Sequence, residues 1–523
     1  MATGSLWEKL PSMASISHEK KSLFLVLAPC LILFIVISSF VKSVSRKRQI
    51  RALGGFAPRV HSWAPFELDL LVTATKHLIN NTFFEWTHKL LTRPGHTIEF
   101  NIFGRRILFT DAAENIKTIM ATNFSVWPKG HHMHAIWEVA LGDSIFTTDG
   151  EEWLASKALL RPYVAKARPN DLEETEIDFQ ELKKHLMKPE AHDVYDLADR
   201  YQLDVVTRIF LGHSAGSLPA TKQEFRVAME KVFDWNTKRI LLGPFGTKVP
   251  MGIVAAGPLK IVNEYVASFV DRVKAMSPSD IEAIPENEQN LVHGLIRNGK
   301  DPKSIRDQLL AVLTAAKDPS AISIGWNLFE LARNPEVAAK LQEEILSVVG
   351  SYSIPPTAAQ LNELTYAKCI MRESLRVYAS LGYNIRTCSA DTTLPVGGGV
   401  NGQEPVGVLA NTQCVYSTLG LQRRKDVWGE DAESWRPERW LNYKPATWDY
   451  IPFNHGPRVC MGRNFGQQQI LYVLVRIYQE FGRIELVSPK EQQIRVELNT
   501  KMAHKCMCKF HPRERSEVEK TGI

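Results

Sequence analysis

Ten residues near the C-terminus, Phe453-Asn-His-Gly456-Pro-Arg458-Val-Cys460-Met-Gly462, constrain this 523-residue chain more than any other segment. They set a lone cysteine among an aromatic residue, two glycines and an arginine. Glycine permits the tight backbone turns that bring amide N–H groups towards a sulfur. Such donors, with low polarity around them, hold a thiolate and tune its donation to a metal. The pattern suits a haem iron: Cys460 as axial thiolate, Arg458 meeting a haem propionate in a charge-assisted pair, and Phe453 packing against the loop. The rival reading, usual for an isolated cysteine, is a structural thiol buried in a Gly-rich turn. The restrictive spacing favours the haem site.

Two further motifs precede this loop. Glu373-Ser-Leu-Arg376 lies in a helical stretch beginning near Leu364, and Trp435-Arg-Pro437-Glu438-Arg439-Trp440 follows about sixty residues on. In this order the three resemble the cytochrome P-450 family, the haem-thiolate monooxygenases. The resemblance runs from about Thr97 to Phe510 and implies a mainly α fold with small β-sheets, haem b as cofactor, and a buried network of Glu373, Arg376 and Arg439. A Glu and an Arg three apart share a helix face, so an ordinary surface pair is the competing reading. Leu141–Trp153, Ala390–Gly399 and Arg423–Gly429 are similar to stretches of fungal membrane-bound alkane and fatty-acid hydroxylases. Related sequences also tailor polyketides, terpenoids and other secondary metabolites, so a lipophilic substrate is implied and its class is left open.

The same resemblance assigns the surroundings of the haem. Trp153 and Lys157, on one face of a helix opening after Gly150, stand where the family has a Trp–Arg pair on a propionate. Lysine keeps the charge and loses the planar fork. Arg386 matches another propionate partner, and Gly456 and Gly462 shape the ligand loop. Leu381, Gly382 and Tyr383, with Ala315, are expected to face substrate; core packing competes for Leu381. In the central helix, Thr314-Ala-Ala-Lys-Asp318-Pro319-Ser320 departs from the pattern. The family pairs an acid with a threonine to relay protons to dioxygen; Asp318 preserves the acid and Pro319 replaces the threonine. Proline removes a hydroxyl and also the N–H that would bond the carbonyl of Ala315. An ordered water, with Ser320 or Asp318, is expected to take over the missing hydroxyl. The alternatives are a haem-thiolate isomerase or peroxygenase, which needs no such relay, and a non-catalytic haem-binding protein.

Composition adds the setting. The formal charge of +6 is mild, and no basic tract suggests nucleic acid. Residues 23–41 are uncharged and rich in Leu, Ile, Val and Phe. As a helix they would extend roughly 28 Å at about 1.5 Å per residue, close to a bilayer's hydrocarbon core. Lys42, Arg46, Lys47, Arg48 and Arg51 follow, which by the positive-inside rule leaves the downstream chain cytosolic. A cleaved signal peptide, the rival, would end in small residues. The expected organisation is a short segment at 1–22, a transmembrane anchor at 23–41, a basic stretch and linker at 42–65, and a catalytic domain at 66–523. Seven cysteines without a paired framework point to free thiols. No Gly-rich nucleotide fingerprint follows a strand, so electrons are expected from NADPH through a separate NADPH-cytochrome P-450 reductase on the same membrane, that of the endoplasmic reticulum.

Overall fold

The computed structural model describes residues 18–165, 168, 170–285, 288–489 and 491–513. The elements that position the site are, in order, α1 (His18–Ala52), α2 (Phe83–Leu91), β1 (Thr97–Ile102), β2 (Arg105–Thr110), α3 (Gly150–Val164), α4 (Val194–Leu211), α5 (Pro302–Arg333), α6 (Thr365–Val377), β3 (Tyr383–Thr387), β4 (Gln413–Ser417), α7 (Arg463–Glu480), β5 (Ile494–Val496) and β6 (Thr500–Met502). Helices dominate, as expected, and the sheets are small.

The long helix α5 is the axis of the helical core. Asp301 caps it, accepting from the amides of Lys303 and Ser304 at 3.0 and 3.1 Å, and Pro302 fills the first turn, where no N–H is required. Asn334-Pro335 ends it. From Leu309 to Phe329 its apolar residues are buried except at Ala315, Ala316 and Pro319, and such a helix needs cover on nearly every side. Helices α4, α6 and α7 supply it.

The main sheet has the order β1-β2-β4-β3. The strands β1 and β2 form a hairpin around Gly104, β2 and β4 run parallel, and β4 and β3 antiparallel. A short hairpin, β5–β6, brings the distant C-terminal segment back to α5.

Glu373 on α6 fastens this core to the segment leading to the ligand loop. Its carboxylate and the Arg376 guanidinium, both fully buried, make a bidentate pair at 2.8 and 2.9 Å. Arg376 also donates to the carbonyls of Gln422, Ala432 and Ser434. Glu373 accepts further from the Arg436 amide and the Trp440 indole, each at 2.9 Å. Arg439 reaches Glu373 only at 3.5 Å; its closer bonds go to Asp431 and the Trp428 carbonyl at 3.0 Å. The network is therefore built on an indole and an amide as much as on the second arginine.

At the N-terminus the backbone of the apolar run lies within α1, which continues through the basic cluster, so the connecting segment starts at Leu53. The side chains of 18–29, 31, 32, 35 and 36 lie outside the described residues, and most of the expected anchor falls there. Among the described residues no helix is long and apolar enough to cross a membrane. The side chains of that run that are described and large, Leu33, Phe34, Ile37, Phe40 and Val41, are exposed.

Removing one partner of a buried pair leaves a charge without compensation. Glu373→Ala is expected to lower the unfolding free energy by about 3–5 kcal/mol in urea melts; a loss below about 1 kcal/mol would show that solvent reaches Arg376.

Candidate functional site

The ligand loop is shaped by backbone geometry. Gly456 adopts φ 67°, and a β-carbon there would overlap the Met120 carbonyl, so the turn accepts only glycine. The Cys460 amide donates to the Phe453 carbonyl at 2.9 Å, closing the loop, and α7 begins three residues later. The Phe453 ring packs against the main core. The Gly462 N–H donates to the Cys460 thiol and Arg463 lies nearby; burial outweighs both and raises the thiol pKa. Yet Cys460 has exposed surface. The thiol is thus surrounded by protein but still accessible.

Helix α3 clamps the loop. Asp149, its N-cap, accepts from Arg458 at 2.7 Å and from the amides of Lys129 and Gly130 at 3.0 Å. Arg458 also donates to the carbonyls of Thr148 and Ile145 and lies over the Trp153 ring, 4.5 Å from its centroid. Lys157 lies over the same ring at 5.0 Å and donates to the Pro457 carbonyl at 2.9 Å. It thus ties helix to loop.

Three cations gather here around one carboxylate. Burial, then the charges of Arg386 and Arg458, push the Lys129 ammonium well below its usual pKa. Burial and Arg386 bring Arg458 down to about 10. Arg386, buried on β3, donates to its neighbour's carbonyl, Ile385, and meets no carboxylate among the described residues. Asp149 is the one carboxylate that these groups meet among the described residues, and the buried Arg386 is left without an anionic partner, as a bound carboxylate group would supply. Haem has two propionates, and its iron would meet the accessible Cys460 thiol. The residues fit the group.

Helix α5 passes close to the ligand loop and the start of α7. Within this buried helix Ala315 is exposed and Ala316 and Pro319 are half-buried. The helix continues through Pro319. Its carbonyl accepts from Ser323 at 2.8 Å and from Ser380 at 3.1 Å, which fastens α5 to the 379–382 loop. Thr314 spends its hydroxyl on the Leu310 carbonyl at 2.8 Å. Ser320 is buried near the start of α7: a β-carbon added at Gly466 would stand 3.9 Å from its hydroxyl and 4.0 Å from the Phe453 ring.

Asp318 does not stand alone. Lys317, itself buried, bridges Asp318 and Asp199 of α4 at 2.5 Å each. The two carboxylates overcome desolvation and raise the Lys317 pKa. For Asp318, Lys317 and Lys501 outweigh burial and lower it. Asn499, in the turn between β5 and β6, donates to Asp318 at 3.4 Å. Lys317, Asp199 and Asn499 were missed by sequence reasoning. Lys317 carried the one signal available, a lysine beside Asp318 in the mostly apolar middle of the helix.

Leu381 is half-buried, and Gly382 is packed against Thr500 of β6 and Leu419. Tyr383 turns away from Arg386: its hydroxyl bonds Thr87 of α2 at 2.6 Å, and its ring meets Phe83 and Phe109. Strand alternation separates the two, since residues an odd number apart point to opposite faces.

The cytochrome P450 family model matches residues 58–505. This chain belongs to that family of haem-thiolate enzymes. It is 35% identical over 482 residues to cytochrome P450 monooxygenase pvhE of Talaromyces variabilis, covering 87% of this chain and 89% of that protein. It is 34% identical to cytochrome P450 52A4 of Candida maltosa (76% and 77% covered) and 33% identical to cytochrome P450 52A12 of Debaryomyces hansenii (83% and 88%). The chain is accordingly an enzyme of the cytochrome P450 monooxygenase family.

Because Gly456 has no room for a side chain, Gly456→Ala is expected to abolish haem uptake while the rest folds. Pyridine haemochromogen assay and far-UV circular dichroism check this; full haem content would contradict the loop geometry.

Proposed function

We propose that this enzyme inserts one oxygen atom from O2 into a lipophilic substrate, with electrons from NADPH through a separate reductase. The observation that carries the reading is the accessible Cys460 thiol in a loop whose Arg458 lies near Arg386, a buried cation with no carboxylate partner among the described residues. Haem bound there supplies O2 activation, its thiolate donation favouring O–O cleavage. Cys460 would hold the metal, with the Gly462 N–H moderating the sulfur charge. Arg458, Arg386 and Lys129 would hold the carboxylates, Trp153 would pack beneath Arg458, and Lys157 would keep the loop closed. Ala315, Leu381 and Gly382 would present an apolar surface to substrate. The likeness to a fungal monooxygenase and to cytochromes P450 52 supports a lipophilic substrate, a fatty-acid or alkane-like chain or a polyketide or terpenoid.

Proton delivery rests on α5. Pro319 offers no hydroxyl and frees the carbonyl of the exposed Ala315, a place for a water between it and Ser320. Asp318 stays ionised through Lys317 and Asn499. A second reading, isomerisation or direct use of peroxide, is favoured by one observation: Pro319 in place of the acid's usual threonine partner.

The exposed side chains of α1 support a membrane anchor with the catalytic domain on the cytosolic face of the endoplasmic reticulum. Trp63, Phe66, Phe245 and Ile253, all exposed, add apolar surface that a membrane would cover.

Two measurements test this reading. Thiol ionisation must accompany metal ligation, and the Cys460 pKa lies above its ordinary value, so haem affinity of the apoprotein should strengthen by about ten-fold per pH unit from pH 6 to 8; a flat profile would exclude a thiolate ligand. Deleting the gene and comparing the accumulated metabolite with the lost product separates the two reactions. A difference of one oxygen atom is expected, and a pair of isomers would establish rearrangement. Once the substrate is in hand, Pro319→Thr should alter the share of NADPH recovered as product several-fold, because the restored N–H and the hydroxyl displace the water. Unchanged coupling would contradict the water relay.

A further inference from the structure

The cation cluster is bordered by two polar groups that the protein leaves without partners. Tyr416 on β4 is fully buried, and its hydroxyl has no hydrogen-bond partner; the Asn384 amide nitrogen on β3 is likewise buried and unpaired. A lone unsatisfied hydroxyl costs about 1–3 kcal/mol, so such groups mark either a void or a missing ligand.

Strand register decides between these. Asn384 is directly opposite Tyr416, and Arg386 opposite Cys414. Residues two apart, and residues directly paired, share a sheet face. Tyr416, Asn384 and Arg386 therefore project from one face. That face packs with Leu108, Met120 and Trp127, and the Met120 carbonyl abuts Gly456 of the ligand loop. The Tyr416 hydroxyl also lies within electrostatic reach of both Arg386 and Arg458. Tyr201 of α4 provides a contrast. It too is fully buried with an unpaired hydroxyl, but its charged surroundings are Asp178, Glu176 and Arg476. Nothing there would draw an anion.

We infer that Tyr416, with Asn384 beside it, donates hydrogen bonds to the carboxylates of the anionic group that Lys129, Arg386 and Arg458 surround. On the haem reading above, on which this rests, the acceptors are the propionates. The phenol would bring a neutral donor on a rigid strand, fixing the carboxylate's direction where the guanidinium groups mainly supply charge. Pairing with the group would also satisfy both orphaned atoms at once.

The test uses full-length protein loaded with haem and follows haem transfer to an excess of apomyoglobin. Tyr416→Phe removes only the hydroxyl. Loss of a hydrogen bond to a charged acceptor should speed release on the order of ten-fold, with the thiolate-type carbon-monoxide spectrum retained. Asn384→Leu should speed it several-fold, and it carries the test should Tyr416→Phe fail to accumulate. Tyr201→Phe, which deletes an equally buried hydroxyl elsewhere, should release haem at the wild-type rate. Tyr416→Phe and Asn384→Leu both matching wild type would overturn this inference alone. A wild-type protein that takes up no haem, or binds it without thiolate ligation, would overturn the haem reading and this one with it.

Discussion

Ion pairing away from water organises this protein, and it does so in two opposite ways. At Glu373 every charge is met. The carboxylate accepts from Arg376, the Arg436 amide and the Trp440 indole, and the arginine spends its remaining donors on three carbonyls. Beside the ligand loop the basic groups outnumber the acids, with Lys129, Arg386 and Arg458 gathered near the single carboxylate of Asp149. The first arrangement makes the scaffold around the ligand loop rigid. The second leaves that scaffold incomplete until an anionic group binds, so binding free energy becomes folding free energy. Glu373 and Arg386 lie on one stretch of chain, because α6 leads directly through the 379–382 loop into β3.

The oxygen side follows another logic. A proline inside a long helix normally costs about 3 kcal/mol. Here Ser323 and Ser380 both donate to the proline's own carbonyl, while the carbonyl it deprives, that of Ala315, belongs to the one exposed residue at that level of α5. Lys317 meanwhile draws Asp318 towards Asp199. The acid is thus held by a cation on its own helix and by Asn499 from the C-terminal hairpin. Any proton path through Asp318 has to pass this buried cluster, which makes the path a property of three separate segments.

What could be read from the sequence was whatever depends on local spacing. The Cys460 loop and the Glu373–Arg376 pair both rest on residues a few positions apart. Lys129 and Tyr416 could not be read this way, since they come near Arg386 only through sheet register and a long connection. Tyr383 shows the same blindness from the other side: adjacent to Gly382 and three residues before Arg386, it is carried by strand alternation to Thr87. Lys157 was assigned to a propionate by resemblance and charge, and in the fold its ammonium donates to the Pro457 carbonyl. Charge gave the residue; only the fold gave its partner.

The central claim is that Cys460 ligates a haem iron as thiolate. The spectrum of the reduced, carbon-monoxide-bound recombinant protein tests it most directly. The account predicts the strongly red-shifted Soret band of thiolate ligation, abolished in Cys460→Ala. A band at the position typical of histidine or thiol ligation in freshly prepared, folded protein would contradict it.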